Sequence, residues 1–287
     1  MLNRCAKGGT SQNWDLTNAI FQLNLETINQ TNQKNTKETM SNSKEYTAFV
    51  LGSTGLCGGA ILKHCLGSGK FTTVTTLTRR ALPEYLISPT ELANQKDVLT
   101  SIVDADSQNW AHKITAPEYG KNNVFFSGLG TTRAQAHGFA NQYKIDHDLN
   151  VALAQKAKEA GYNTYVLVSS VGASKDSMFA YTKMKGEIED AVEKLGFDNL
   201  VVLRPGLLLG DRHGNKSQSF MSSAAESIGA RFYRSKLQKL FGYPVYGEEV
   251  GKIAVKLALE TSVNATPSGK TNVRIVESNE ILDLAAK

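Results

Sequence analysis

A glycine-rich turn directly after an apolar run constrains the fold of this 287-residue chain more than any other feature. The run Tyr46–Leu51 is followed by Gly52, Gly55 and Gly58, and then by a helix-like pattern. Gly52 allows a sharp turn, Gly55 lets a phosphate approach the backbone, and Gly58 lets the helix lie close to the sheet. The N-terminus of such a helix offers N–H groups to a pyrophosphate. The pattern predicts a dinucleotide-binding turn, with a plain tight turn as the alternative.

Strand patterns and helix patterns alternate from residue 46 almost to the end of the chain. The predicted strands cover 46–51, 73–77, 98–103, 124–126, 165–168, 200–203 and, as a late edge strand, 274–276. The predicted helices cover 56–66, 142–160, 180–195 and 248–260. Alternation of this kind is typical of a doubly wound parallel sheet. We therefore predict one α/β domain, residues 44–287, with a small C-terminal extension on the substrate side.

The first 43 residues differ in composition from the rest of the chain. Asn and Gln make up 12 of them, and residues 29–43 offer almost nothing to bury, so we predict a disordered polar extension. One interpretation is a mitochondrial targeting segment, although its single arginine, Arg4, and its acidic residues count against it. The other interpretation is an upstream extension, with Met40 as the working start.

The charge balance and the cysteine content argue against several classes of protein. The net charge of +5 mildly favours anionic partners such as nucleotide phosphates or an acidic lipid surface. The basic residues are not clustered as in a dedicated nucleic-acid-binding protein. No apolar run approaches the roughly 18 residues of a membrane-spanning helix. Three cysteines without CxxC spacing predict a reduced compartment or a surface facing the cytosol, and five histidines without HExxH spacing predict no metal site.

Two arginines after the second predicted strand favour NADP(H) over NAD(H) as the cofactor. A NAD site normally has an acidic residue at this point, whereas Arg79 and Arg80 suit a 2′-phosphate. Asp104, after the third strand, is predicted to accept a hydrogen bond from the adenine amino group. The small residues of 128–132 let the chain pass close under the ribose and the nicotinamide. The alternatives are solvated arginines and a plain loop.

Tyr181 and Lys185 are the predicted catalytic pair. Residues four apart share one face of a helix, so the ammonium would lie beside the Tyr oxygen and favour the phenolate. Ser169 and Ser170 end the fifth strand, at the carboxyl edge where ligands bind. We predict that Ser170 holds a substrate carbonyl, with Ser169 as the alternative, and that Tyr181 transfers the proton. The other interpretation of the pair is a core Tyr with a solvated Lys.

A basic amphipathic stretch covers residues 228–243. Its apolar residues Tyr233, Leu237, Leu240 and Phe241 would share one helical face, with Arg and Lys side chains around it. Such a helix can lie on an anionic membrane. The alternative is a helix on the substrate side of the domain that packs its apolar face inward.

These motifs resemble the short-chain dehydrogenase/reductase superfamily over about residues 46–284, which implies a Rossmann-type fold. Within the superfamily, the chain resembles the atypical Tat-interacting-protein-like branch, and most narrowly the fungal members of mitochondrial proteomes placed at the outer membrane. The strings that carry the resemblance are Val-Leu-Gly-Ser-Thr-Gly-Leu-Cys-Gly-Gly, Leu-Thr-Arg-Arg, Tyr-Lys-Ile-Asp-His-Asp-Leu-Asn, Tyr-Thr-Lys-Met-Lys-Gly-Glu-Ile-Glu and Gly-Tyr-Pro-Val-Tyr-Gly-Glu-Glu-Val-Gly-Lys.

The resemblance implies a set of NADPH contacts, namely Thr54, Gly55, Leu56, Cys57, Arg79, Arg80, Leu129, Gly130, Tyr181 and Lys185. It also implies the mitochondrial outer membrane, and the basic stretch 228–243 predicts peripheral attachment on its cytosolic face, with a cytoplasmic location as the alternative. It implies no substrate, and no counterpart is evident for the Asn that completes the superfamily's proton relay. We expect either an NADPH-dependent reductase of a small carbonyl compound or a catalytically silent NADPH-binding regulator or scaffold.

Overall fold

The computed structural model describes residues 46–117, 122–211, 230–235, 237–263 and 270–287. The chain divides into two units after Ser43, and all described residues belong to the second, Lys44–Lys287. The predictions for residues 1–43 lie outside the described residues, as do positions 228, 229 and 236 of the basic stretch.

A sheet of seven parallel strands forms the centre of the described fold. Its strands are β1 (Tyr46–Leu51), β2 (Phe71–Thr78), β3 (Leu99–Val103), β4 (Asn122–Ser127), β5 (Thr164–Val168), β6 (Asn199–Arg204) and β9 (Asn272–Glu277), while β7 (Leu208–Leu209) and β8 (Val245–Tyr246) pair separately. The order β3-β2-β1-β4-β5-β6-β9 changes direction between β1 and β4. Open α/β sheets bind ligands at such a switch point. The predicted doubly wound parallel sheet is confirmed.

Several strands extend beyond their predicted limits because polar residues join the ladder. In β4, Asn122 pairs with Tyr46 and Ser127 pairs with Leu51, although neither residue belongs to the apolar run. Similarly, β9 begins at Asn272, which pairs with Asn199. Backbone pairing does not depend on side-chain polarity, so apolar runs underestimate strand length.

The main helices lie on both faces of this sheet and connect its strands. They are α1 (Leu56–Gly67), α2 (Pro89–Asn94), α3 (Trp110–Lys113), α4 (Phe139–Tyr143), α5 (Asn150–Glu159), α6 (Ala180–Lys194), α7 (Gly247–Val263) and α8 (Ser278–Ala285). A π-helical segment, Lys144–Leu149, joins α4 to α5. The sequence predicts one regular helix over 142–160, because apolar periodicity does not reveal a single wide turn with i→i+5 bonds. Short 3-10 turns cover Ser107–Asn109 and Gln238–Phe241.

The core consists of two apolar layers, one on each face of the sheet. Alternate residues of β1 belong to different layers, as the two-residue period of a strand requires. One layer contains Ile61 of α1 and Val250 of α7. The other contains Met184 of α6 and the rings of Phe125 and Tyr165, stacked with centroids 5.5 Å apart. Burial on both faces holds the sheet rigid, and the sheet in turn positions the loops at its carboxyl edge.

The basic stretch does not form the single amphipathic helix that its sequence predicts. Arg234 has a φ of 53°, in the left-handed region, and residues 233 and 234 form a turn. Tyr233 packs on Tyr246 with ring centroids 4.9 Å apart, whereas Leu237 and Leu240 are 52% and 77% exposed. The turn interrupts the helix, so Tyr233 and the two leucines do not share a face. No helix in the described part of the chain combines the length and apolar character needed to cross a membrane.

Candidate functional site

A cleft of about 440 Å³ lies at the carboxyl edge of the sheet. The turn between β1 and α1, the loop after β4 and the start of α6 line it. The end of β5 and the residues around β7, β8 and the start of α7 complete the wall. This position is the switch point of the strand order, where doubly wound folds bind their ligands.

Close backbone contacts explain two of the glycines in the turn after β1. Gly52 has a φ of 74°, and a β-carbon on it would lie 2.4 Å from the carbonyl oxygen of Gly128. A β-carbon on Gly58 would lie 2.2 Å from the carbonyl oxygen of Gly52. These two residues hold the turn against the β4 loop and α1, whereas Gly55 lines the cleft itself. The path of the chain at this point therefore requires glycine.

The N-terminus of α1 opens onto the cleft. Gly55 is its N-cap, no side chain of the described residues caps the helix there, and its first turn contains no acidic residue. The N–H groups of the first turn and the positive end of the helix dipole therefore face the cleft, which suits a phosphate. The predicted contacts Thr54, Leu56 and Cys57 all line this part of the cleft.

Two basic side chains, Arg80 and Lys63, also line the cleft. The hydroxyl of Thr78 donates to the carbonyl oxygen of Arg80 at 2.7 Å and so fixes the backbone of the loop after β2. Arg79 is exposed and is not among the described lining residues, so the structure brings one of the two predicted arginines to the cleft. Lys63 was not predicted. Its helical spacing from Leu56, two turns along α1, is the signal that could have identified it.

Asp104, for which the sequence predicts an adenine contact, caps the loop after β3 and is not among the described residues that line the cleft. Its Oδ1 accepts a hydrogen bond from the backbone N–H of Asp106 at 3.0 Å, and its Oδ2 lies 4.0 Å from Lys113 Nζ. Its carbonyl oxygen accepts from Trp110 Nε1 at 3.0 Å. These contacts organise the loop between β3 and α3, and the adenine contact stays a prediction. A carboxylate after a strand predicts a ligand contact or a loop cap equally well.

Tyr181 and Lys185 both line the cleft, one turn apart at the start of α6. Lys185 is only 6% exposed, whereas Tyr181 is 43% exposed. Lys185 Nζ lies 6.0 Å from the centroid of the Tyr181 ring. The alternative interpretation, a core Tyr with a solvated Lys, requires the opposite burial of the two side chains. The arrangement presents a phenol to the cleft, with a poorly screened ammonium behind it.

Ser169 lines the cleft, whereas Ser170 is outside the lining formed by the described residues. The Ser169 hydroxyl donates to Glu189, and Glu189 also accepts from Arg204 Nε at 3.1 Å. Arg204 Nη1 donates to Glu277 at 2.9 Å, and the hydrogen bond to Glu189 is the largest cause of a raised Arg204 pKa. A carboxylate that is ionised beside an arginine can only accept hydrogen bonds. In this arrangement the Ser169 hydroxyl therefore donates its proton to the hydrogen bond with Glu189, and the contact of Ser170 with a substrate carbonyl stays a prediction.

Asp146 is a cleft residue that sequence reasoning missed. It is 1% exposed and lies in the π-helical segment, and its Oδ1 accepts from the backbone N–H of Thr131 at 2.7 Å. Burial raises its pKa, and the charge of Lys185 acts in the opposite direction. The predicted contacts Leu129 and Gly130 belong to the same loop and line the cleft. The string Tyr-Lys-Ile-Asp-His-Asp-Leu-Asn contained the available signal, but helical periodicity alone does not indicate which of its carboxylates points inward.

Solved structures share the fold of this chain. A putative 2-deoxy-d-gluconate 3-dehydrogenase from Agrobacterium tumefaciens with bound NADP is 15% identical, with a TM-score of 0.58 over 84% of this chain and 98% of that one. A short-chain dehydrogenase/reductase from Serratia marcescens is 12% identical, with a TM-score of 0.56 over 83% and 98%. At these identities the likeness shows the fold alone, an α/β fold of the Rossmann type.

Sequence comparison gives the family. The HIM1 family model matches residues 90–238. The mitochondrial protein FMP52 of Saccharomyces cerevisiae is 48% identical over 238 residues, which is 83% of this chain and 96% of that protein. FMP52 of Eremothecium gossypii is 46% identical over 237 residues, with the same two shares. The chain therefore belongs to the HIM1 family and to the family of the FMP52 proteins.

Proposed function

We propose that the protein is an NADPH-dependent oxidoreductase that reduces a small carbonyl compound. The observation that carries the proposal is the convergence of Tyr181, Lys185 and the open N-terminus of α1 on one cleft. Hydride transfer with a nicotinamide cofactor needs a phosphate-binding turn and a proton-transferring group close together. Structural neighbours described as bound to NADP, NADPH or NAD support a nicotinamide cofactor.

The chemistry of the cleft residues fits NADP(H). The N–H groups in the first turn of α1 would bind the pyrophosphate, and Arg80 with Lys63 would bind the 2′-phosphate. Gly130 has no side chain and leaves room beside Lys185, which would hold the nicotinamide ribose. The cofactor, when bound, supplies the hydride.

Tyr181 would donate the proton to the carbonyl oxygen as the alcohol forms. The buried charge of Lys185 would favour the phenolate that remains. The sequence assigns the contact with the substrate carbonyl to Ser170, but we propose that Tyr181 makes it. Ser170 is not among the described residues that line the cleft, and Ser169 donates to Glu189.

The same commitment of Ser169 supports a second candidate function. A site without a serine donor for the carbonyl is also what a catalytically silent NADPH-binding regulator or scaffold would have. Such a protein would bind NADPH and be stabilised by it, but would oxidise none of it in the presence of carbonyl compounds.

Replacement of Tyr181 by phenylalanine separates these functions. In an NADPH oxidation assay over a panel of small aldehydes and ketones, we expect Tyr181→Phe to lower kcat by about 100-fold or more, as for loss of a general acid. Its affinity for NADPH should stay within about twofold of the wild-type value, because the other contacts with the cofactor remain. The control Tyr143→Phe removes a hydroxyl that binds Glu187 away from the described cleft lining, and should keep full turnover. Unchanged turnover in Tyr181→Phe contradicts the proposed mechanism, and tight NADPH binding without any turnover in the wild type favours the silent regulator.

For location, we propose the mitochondrion, with peripheral attachment to the cytosolic face of the outer membrane. The FMP52 relatives are named mitochondrial proteins, which supports the first part. Exposed Leu237 and Leu240 come from the same segment as exposed Arg231 and Lys239, a combination that suits an anionic lipid surface. We also propose that residues 44–287 are the cofactor-binding domain and that 1–43 are a separate polar extension.

Co-sedimentation with anionic liposomes tests the membrane contact. The double variant Leu237→Asp/Leu240→Asp should lose most of the bound fraction, because it replaces the exposed apolar contacts by charges of the same sign as the lipid. Val103→Asp/Ile275→Asp is the control, since it places the same two charges at exposed apolar positions on the edge strands of the sheet. Equal binding of the wild type and the double variant would exclude this segment as the contact.

A further inference from the structure

Asp146 brings a buried carboxylate into the cleft, where the charge of Lys185 favours its ionised form against the rise in pKa that burial causes. Its carboxylate is held by the π-helical segment Lys144–Leu149, where the helix widens, and π segments are frequent at functional sites. One oxygen, Oδ1, accepts from Thr131 N–H at 2.7 Å, which ties the helix to the loop after β4. The backbone of that loop is also fixed by Gln142 Nε2, which donates to the carbonyl oxygen of Thr131 at 3.0 Å. The charge is therefore fixed in place rather than carried on a mobile side chain.

Asp146 and Lys185 face the same small space beside Gly130. A β-carbon on Gly130 would lie 3.8 Å from Asp146 Oδ2 and 3.9 Å from Lys185 Nζ. Both charged side chains are buried, so water screens neither of them strongly. The carboxylate offsets the ammonium, and without it this part of the cleft would be positive.

We propose that Asp146 sets the preference of the cleft between the oxidised and the reduced cofactor, an inference that rests on the proposed NADP(H) site. The nicotinamide ring of NADP⁺ carries a positive charge that the ring of NADPH lacks. Lys185 repels that charge and Asp146 attracts it. With Asp146 present, the cleft accepts NADP⁺ about as readily as NADPH. A reductase with this site is inhibited by the oxidised cofactor that it produces and responds to the ratio of the two forms.

The other charged residues of the cleft act equally on both forms of the cofactor or are well solvated. Arg80 and Lys63 would bind the 2′-phosphate, which NADP⁺ and NADPH share, so their effect cancels in the ratio of affinities. Asp211 and Glu248 are exposed to water, where a charge is screened over about 8–10 Å. Asp146 and Lys185 remain as the buried pair able to distinguish the rings.

The test is the dissociation constant of each cofactor form with full-length protein, by calorimetry, for wild type and Asp146→Asn. Asparagine has nearly the same shape and can still accept from Thr131, so the substitution removes mainly the charge. We expect NADP⁺ binding to weaken about fivefold or more relative to NADPH, as for loss of a poorly screened charge pair. Lys185→Met should weaken the binding of both cofactor forms and shift the ratio of their affinities in the opposite direction, in favour of NADP⁺. This second variant keeps the proposal testable if Asp146→Asn does not fold.

Asp148→Asn is the matched control. It removes the same charge two residues further along, from an exposed side chain that pairs with His147, and should leave the ratio unchanged. An unchanged ratio in Asp146→Asn, or in Lys185→Met where the first variant does not fold, overturns the inference while leaving the proposed function intact. A wild-type protein that binds neither form overturns the proposed function and this inference together.

Discussion

Gly58 shows how one residue couples the path of the chain to the geometry of the cleft. It is buried in the first turn of α1, and the space of its missing side chain is filled by the backbone of Gly52. A flexible side chain can move away from a new methyl group, but this backbone cannot, because Gly52 in turn packs on Gly128. The close contact sets where the N-terminus of α1 points, and thereby where its N–H groups meet the cleft.

Gly58→Ala should therefore damage stability and cofactor binding together. We expect a loss of about 1–3 kcal/mol in the free energy of unfolding, typical of overpacking, and weaker NADPH binding. Gly67→Ala is the control within the same helix, because a β-carbon there meets nothing within 4 Å and alanine is the better helix former. Urea denaturation and NADPH titration of both variants give the comparison. Equal stability of the two variants would mean that the contact at Gly58 is not restrictive.

At the scale of the elements, Arg204 joins helix α6 to two strands. It ends β6 and bonds both Glu189, in the middle of α6, and Glu277, at the end of β9. Because α6 also carries Tyr181 and Lys185, this network holds the helix with these two cleft residues against the sheet. The Ser169 hydroxyl completes the network by donating to Glu189.

Arg204→Ala should destabilise the fold strongly, because it leaves the buried carboxylate of Glu189 without its cation. Removal of one partner of a buried ion pair costs about 3–5 kcal/mol. Glu277→Ala removes a partner that is exposed to a large extent and should cost about 1 kcal/mol or less. Urea denaturation of both variants measures the difference. A similar loss in the free energy of unfolding for both variants would show that the buried carboxylate of Glu189 does not need Arg204 as its cation.

At the scale of the whole molecule, the fold could be predicted because its signals are local. Strands β1 and β5 are buried along their whole length and read as apolar runs. The Tyr181/Lys185 pair and the glycine turn are likewise set by short spacings. The two-residue strands β7 and β8 and the π segment have no period to detect. Asp146 reaches the cleft, and the Glu189–Arg204 pair supports it, only through tertiary contacts, whereas Lys63 could have been found from its helical spacing on α1.

Titration of the purified protein with NADPH and with NADH, followed by nicotinamide fluorescence and by Tm, tests the central claim most directly. We expect NADPH to bind about tenfold or more tightly than NADH, since the 2′-phosphate adds charge-assisted hydrogen bonds. The double variant Lys63→Ala/Arg80→Ala should lose this preference, whereas Arg79→Ala, outside the described lining of the cleft, should keep it. Binding of neither cofactor, or equal binding of the two, would contradict the account.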